Sequence, residues 1–141
     1  AVTGVYDHRL DAQPKRRGIT RVKELLAEGI NVSFGQDCVE DTFYPFGRVD
    51  PLEVGLIAAH AAHMSLPGEI EELFDMQTNA AARVMRLDDY GFAPGCAADL
   101  VILDAANAAE ALTKQAARNV VIKNGQIIVT NETKQDWRWT P

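Results

Sequence analysis

Residues 29–38 read Gly29-Ile30-Asn31-Val32-Ser33-Phe34-Gly35-Gln36-Asp37-Cys38, and the expected fold class follows from them. Ile30, Val32 and Phe34 alternate with smaller polar residues, which predicts a short strand over 30–34 with one apolar face. The stretch Arg17–Glu28 precedes it and places Ile19, Val22, Leu25 and Leu26 on one helical face. Gly29 suits the left-handed residue that ends a helix. Helix, glycine, short apolar strand is the rhythm of an α/β protein. The strand runs into a small-residue turn and delivers the carboxylate of Asp37. In a barrel of parallel strands that end of a strand opens into the active site. A carboxylate there can bind a metal ion or move a proton.

Outward from this stretch the chain keeps alternating. A short strand (Val2, Val5, Tyr6) and a polar loop ending at Pro14 are expected before the first helix. After Asp37 comes Cys38-Val39-Glu40-Asp41-Thr42-Phe43-Tyr44-Pro45-Phe46-Gly47, with three aromatics in four positions. Loops after barrel strands carry substrate contacts, although aromatic rings also simply pack a loop down. Asp50, Pro51 and Glu53 predict a capped helix start, and the helix should run to about residue 65 and stop at Leu66-Pro67-Gly68. Further helices are expected over 69–76 and, from an N-cap at Thr78, to about Arg86. Ala80-Ala81-Ala82 suggests close packing within that last helix.

From Gly91 the character changes. Asp99–Asp104 reads as a buried strand and Asn107–Ala117 as a short helix. Residues 119–123, Asn124-Gly125 and 126–130 read as a hairpin, because Asn-Gly between β-branched runs is a strong hairpin signal. Residues 1–90 are thus expected to form one part and residues 91–141 a second, β-rich part with a tail.

Bulk properties exclude several function classes. A net charge of −6 disfavours nucleic acid, whose phosphates need a basic face. The only basic cluster, Lys15-Arg16-Arg17, reads as solvated surface. No apolar run approaches the roughly 18 residues that cross a bilayer. The two cysteines form no CxxC pair and no disulfide framework, so a reduced, cytoplasmic setting is expected. At 141 residues the chain is too short for a whole eight-stranded α/β barrel, which takes about 250 residues.

Asp37 needs companions to hold a metal, since a catalytic site usually has about three protein ligands. His60 and His63 lie three apart on a helix and share a face, which fits a metal pair or two surface histidines. His8 lies in an early loop from which an active site is within reach. Cys38 is a poor nucleophile beside a carboxylate, which raises its pKa, and suits a pocket wall better. Asp88 and Asp89 are adjacent acids that nothing marks as an acid/base couple.

Three segments then resemble the cytosine deaminase family of the amidohydrolase superfamily. They are 13–25 (Gln-Pro-Lys-Arg-Arg-Gly-Ile-Thr-Arg-Val-Lys-Glu-Leu), 29–37 with 41–47, and 91–103 with 121–129, the last being the superfamily's closing signature. The resemblance implies an α/β fold: the C-terminal portion of a TIM (β/α)8 barrel plus strands of a small β-sandwich. It implies one divalent metal ion, iron or zinc, held by Asp37 together with ligands outside this chain. It also implies that Asp37 is catalytic, taking a proton from the attacking water as a non-peptide C–N bond on a cytosine-like nitrogen heterocycle is hydrolysed. Members of the family tend to have a second acid after the metal aspartate and a Trp in the aromatic loop, and here Cys38 and Phe43 stand in those places as substrate contacts. A thiol accepts a hydrogen bond from a ring N–H poorly, so a triazine or N-alkylamino heterocycle is the alternative substrate class. The expected partner is a small heterocycle, with no nucleic acid and no membrane. Alone, the chain should be catalytically silent and associate, or form a homo-oligomer, through exposed barrel edges. The reading of another class is a non-enzymatic interaction domain, and a third is an enzyme with Cys38 as nucleophile.

Overall fold

The computed structural model describes residues 18–41, 44–132, 134, 136 and 138. The expected first strand, His8, Lys15-Arg16-Arg17, Phe43, Trp137 and Trp139 lie outside the described residues. The elements run α1 (Val22–Ala27), α2 (Pro51–Ala61), α3 (Pro67–Gln77), α4 (Asn79–Met85), β1 (Leu100–Leu103), α5 (Ala108–Lys114), β2 (Arg118–Lys123) and β3 (Gln126–Thr130). They fall into two compact units, which divide between Asp88 and Asp89.

In the first unit, α1 ends as the sequence suggests. Gly29 sits at φ 72°, its N–H donates to Leu26 O (2.9 Å), and the N–H of Ile30 donates to Leu25 O (3.0 Å). These two bonds satisfy carbonyls that the helix end would otherwise leave open. The expected strand over 30–34 is not formed. A parallel barrel strand takes all its ladder bonds from neighbouring strands, and among the described residues nothing pairs with this segment. Alternation alone cannot supply those partners. The segment is tied by a side chain instead: Asn31 Nδ2 donates to Ala80 O (3.1 Å) and Arg83 Nε donates to Asn31 Oδ1 (2.9 Å).

The helix starts and stops have local causes. Asp50 Oδ1 accepts from the Leu52 N–H (2.9 Å), with Pro51 in the first turn of α2. That helix stops at Ala61 rather than near residue 65. His63 turns left-handed (φ 54°), and the Met64 N–H reaches back to Ala59 O (2.8 Å). Pro67 and Gly68 do not end a helix; they open α3, where proline's missing N–H costs nothing. Thr78 does not cap α4 with its side chain, because its hydroxyl donates back to Phe74 O (2.7 Å) in α3. Leu52, Met64, Leu73, Met76, Ala80 and Ala82 form the buried core of this unit, with α3 packed against both α2 and α4.

Glu69 holds the α3 entrance. Its carboxylate accepts from the N–H groups of Ser65 (2.8 Å) and Leu66 (2.9 Å) and pairs with Lys23 Nζ (2.6 Å). Its pKa is lowered to about 2, chiefly by the hydrogen bond from Lys23 and then by the Leu66 N–H. A carboxyl depressed in the folded state stabilises fully above its ordinary value of 4.5 and loses that contribution as pH falls toward 2. The Tm of the chain is therefore expected to drop over that interval, and less steeply in Glu69→Gln. Identical slopes in a thermal melt series would contradict this role.

The second unit is a three-stranded antiparallel sheet in the order β1-β2-β3, with α5 between β1 and β2 in sequence. Val101 faces Val121, which in turn faces Val129. Asn124 (φ 50°) and Gly125 (φ 74°) both turn left-handed, as a tight two-residue hairpin matched to strand twist requires. Asp99 clamps this turn by accepting the Asn124 N–H (2.8 Å) and pairing with Lys123. Asn107 Oδ1 caps α5 through the Glu110 N–H (2.9 Å). The expected burial of 99–104 is not met: none of the six residues is fully buried, and Val101 and Ile102 are about half exposed (53% and 51%). Among the described residues no second sheet lies over β1.

Candidate active-site loop around Asp37

Asp37 follows the irregular segment 30–36 and is exposed, at φ 59°. Aspartate tolerates this left-handed conformation better than most residues because its short side chain bonds locally. Two features brace the backbone around it. Gln36 Nε2 donates to Cys38 O (3.1 Å), and Gly47 is buried against the same carbonyl. A Cβ on Gly47 would lie 2.8 Å from Cys38 O, 2.8 Å from Tyr44 Cδ1 and 2.9 Å from Gln36 Nε2. Gln36 Oε1 is buried with no hydrogen-bond partner among the described residues.

Cys38 is half-buried, with its Sγ 3.9 Å from Asp37 Oδ2. Its thiol pKa is pushed up to about 11, first by hydrogen bonding to Asp41, then by burial and by the charge of Asp37. The thiol is therefore protonated near neutral pH and unsuited to nucleophilic attack. It can donate a hydrogen bond but offers only a weak acceptor.

The aromatic loop divides in two. Tyr44 is half-buried: its N–H donates to Asp41 Oδ1 (2.9 Å) and its hydroxyl donates to Glu53 Oε1 (3.1 Å). Burial, and then the Glu53 carboxylate, push the Tyr44 hydroxyl pKa up. Phe46, by contrast, is 67% exposed. Glu53 Oε2 accepts the Arg48 N–H (3.2 Å) and faces its guanidinium Nε at 3.6 Å.

The structure brings Asp37, Cys38 and Asp41 together, while Phe43 and His8 lie outside the described residues. His60 is exposed in the last turn of α2, and His63 is exposed just beyond it with a left-handed backbone. Among the described residues no group of three His, Cys, Asp or Glu side chains could hold a metal ion. An exposed carboxylate fits a divalent cation such as zinc or iron as one ligand of a larger set. Gln36, Gly47 and Glu53 escaped the sequence reading. In the sequence Glu53 reads as part of the helix cap, and nothing local signals that it turns toward the loop.

Residues 2–129 match the family described as Amidohydrolase family. The chain is 36% identical over 112 residues to N-isopropylammelide isopropyl amidohydrolase of Pseudomonas sp. (strain ADP), spanning 79% of this chain and 28% of that protein. It is 32% identical over 125 residues to pterin deaminase of Rhizobium rhizogenes (strain K84), spanning 88% of this chain and 28% of that protein. The structure superposes on 5-methylcytosine deaminase from Klebsiella pneumoniae liganded with 5-fluorocytosine. The TM-score is 0.84 at 40% identity, over 92% of this chain and 32% of that one. It also superposes on N-isopropylammelide isopropylaminohydrolase from Burkholderia multivorans, with a TM-score of 0.78 at 33% identity, over 84% of this chain and 30% of that one. The chain thus spans under a third of the length of each of these proteins.

Proposed function

Since this chain belongs to the amidohydrolase family, we propose that it is the C-terminal part of a metal-dependent barrel hydrolase that cleaves a C–N bond on a small nitrogen heterocycle. The observation that carries this reading is the similarity, over most of the chain, to proteins named for cytosine-, pterin- and ammelide-type substrates. All three substrates present an amino or alkylamino group on an electron-poor ring. Asp37 would be both a metal ligand and the proton carrier, and Cys38 and Phe43 would contact the ring. The two free thiols suit a reducing cytoplasm.

The metal, when bound, supplies the Lewis acidity that makes water nucleophilic near neutral pH. The chain's own residues do the rest. An Asp37 carboxylate oxygen accepts the proton of the attacking water and returns it to the departing nitrogen, which leaves as ammonia or an amine. The exposure of Asp37 gives that oxygen access to solvent and ligand. Its left-handed backbone and the Gln36 and Gly47 braces fix where the carboxylate starts. The protonated thiol of Cys38 suits a ring acceptor nitrogen better than a ring N–H. This favours a triazine or N-alkylamino ring as the second reading within the same reaction class.

The deciding assay uses the longer polypeptide that carries this segment, loaded with zinc or iron. Release of ammonia or amine is followed from cytosine, 5-methylcytosine, pterin and N-isopropylammelide. Turnover of at least one is expected, with kcat/KM on the order of 10⁴ M⁻¹s⁻¹ or above. A folded, metal-loaded protein that turns over none of them would sink the reading. The 141-residue chain by itself is expected to be inactive.

A further inference from the structure

Glu53 occupies the third helical position of α2, where a glutamate normally folds back onto the N-cap N–H. Here it does not. Asp50 caps the helix through the Leu52 N–H, and both oxygens of Glu53 turn to the loop before the helix. Oε1 takes the Tyr44 hydroxyl and Oε2 takes the Arg48 N–H, with the Arg48 guanidinium alongside. The carboxylate is mostly covered, its side chain only 15% exposed.

From there a continuous set of contacts runs back to the reacting end of the loop. Tyr44, held by Glu53, gives its N–H to Asp41 Oδ1, in the turn that follows Cys38. The Tyr44 ring also closes the space beside Gly47, which lies against Cys38 O. A shift of Tyr44 is therefore passed to Cys38 through the packing around Gly47, and to the turn after Cys38 through Asp41.

Resting on the function proposed above, we propose that Glu53 is the positioning residue of the substrate loop, holding Tyr44 and Arg48 so that Cys38 is presented to the heterocycle. Both of its oxygens are taken by Tyr44 and Arg48, so it acts through the loop. Its removal should loosen substrate binding and leave the chemical step in place.

The test measures KM and kcat separately in the full-length, metal-loaded enzyme, with the best substrate of the panel above. Glu53→Ala is expected to raise KM about tenfold and keep kcat within about threefold, because misplaced binding groups cost affinity first. Metal content should match wild type. Glu53→Gln, which keeps an acceptor for the Tyr44 hydroxyl, should recover most of that loss. Tyr44→Phe removes only the hydroxyl and should raise KM in the same direction, and it carries the test if Glu53→Ala does not fold. A folded Glu53→Ala or Tyr44→Phe with wild-type KM overturns the proposal, as does a fall in kcat at constant KM. A wild-type enzyme silent on the whole panel would instead refute the proposed function. Amide exchange at Tyr44 and Arg48 in the 141-residue chain then judges the anchor, and unaccelerated exchange in Glu53→Ala overturns it.

Discussion

Asp37→Asn is expected to lower turnover by the metal-loaded, full-length enzyme about 10²- to 10⁴-fold, the range associated with losing a general acid/base group. The substitution preserves shape and removes what matters chemically. A neutral amide oxygen is a weaker ligand for zinc or iron than a carboxylate and cannot take up a proton from water. Asparagine tolerates the left-handed backbone as readily as aspartate, so the φ of 59° is no obstacle to folding. The side chain is exposed, and no buried group loses its partner. The melting temperature of the 141-residue chain should therefore stay close to wild type while activity collapses. An Asp37→Asn enzyme that keeps more than a tenth of wild-type kcat, at full metal content, would remove Asp37 from the chemistry.

The second large effect belongs to Gly47→Ala, a change of one methyl group. The new Cβ would meet a backbone carbonyl, a ring carbon and an amide nitrogen, all closer than 3.0 Å. Relief requires moving Cys38, Tyr44 or Gln36, and each of these is held by a hydrogen bond of its own. Overpacking of this kind costs about 1–3 kcal/mol, which urea denaturation of the chain would read directly. The cost is steric, because Gly47 is absent from the glycines with positive φ. Gly68→Ala supplies the control: it lies in the first turn of α3 with nothing within 4 Å of the new atom. Gly47→Ala unfolding at the wild-type urea midpoint would mean that the loop does not close against Cys38 as described.

The elements legible in the sequence are those whose causes lie within a few residues. The Asp50-Pro51 start of α2, the Gly29 end of α1 and the Asn124-Gly125 turn all satisfy backbone groups locally. Pro67 misled because proline both ends helices and begins them, and only the neighbouring Glu69 contacts distinguish the two. The segment 30–34 misled for a deeper reason. Alternating apolar residues declare a strand's faces, but a strand exists only where other strands supply its bonds. At the candidate site, Asp37 and Cys38 could be read from their position after an apolar run. The braces could not, because Gln36, Gly47 and Glu53 act across a folded loop whose closure no spacing rule encodes.

The left-handed backbone at Asp37 also bears on how this position would drift. A side chain held there costs on the order of 1 kcal/mol relative to glycine, which adopts the conformation freely. A single nucleotide change converts an aspartate codon to glycine or to asparagine, and either residue is at ease at this φ. Under the function proposed above, selection for stability favours glycine at position 37 and selection for catalysis favours aspartate. In a duplicated copy released from the duty proposed for Asp37, this carboxylate would be open to exchange, and a glycine there would relieve the backbone.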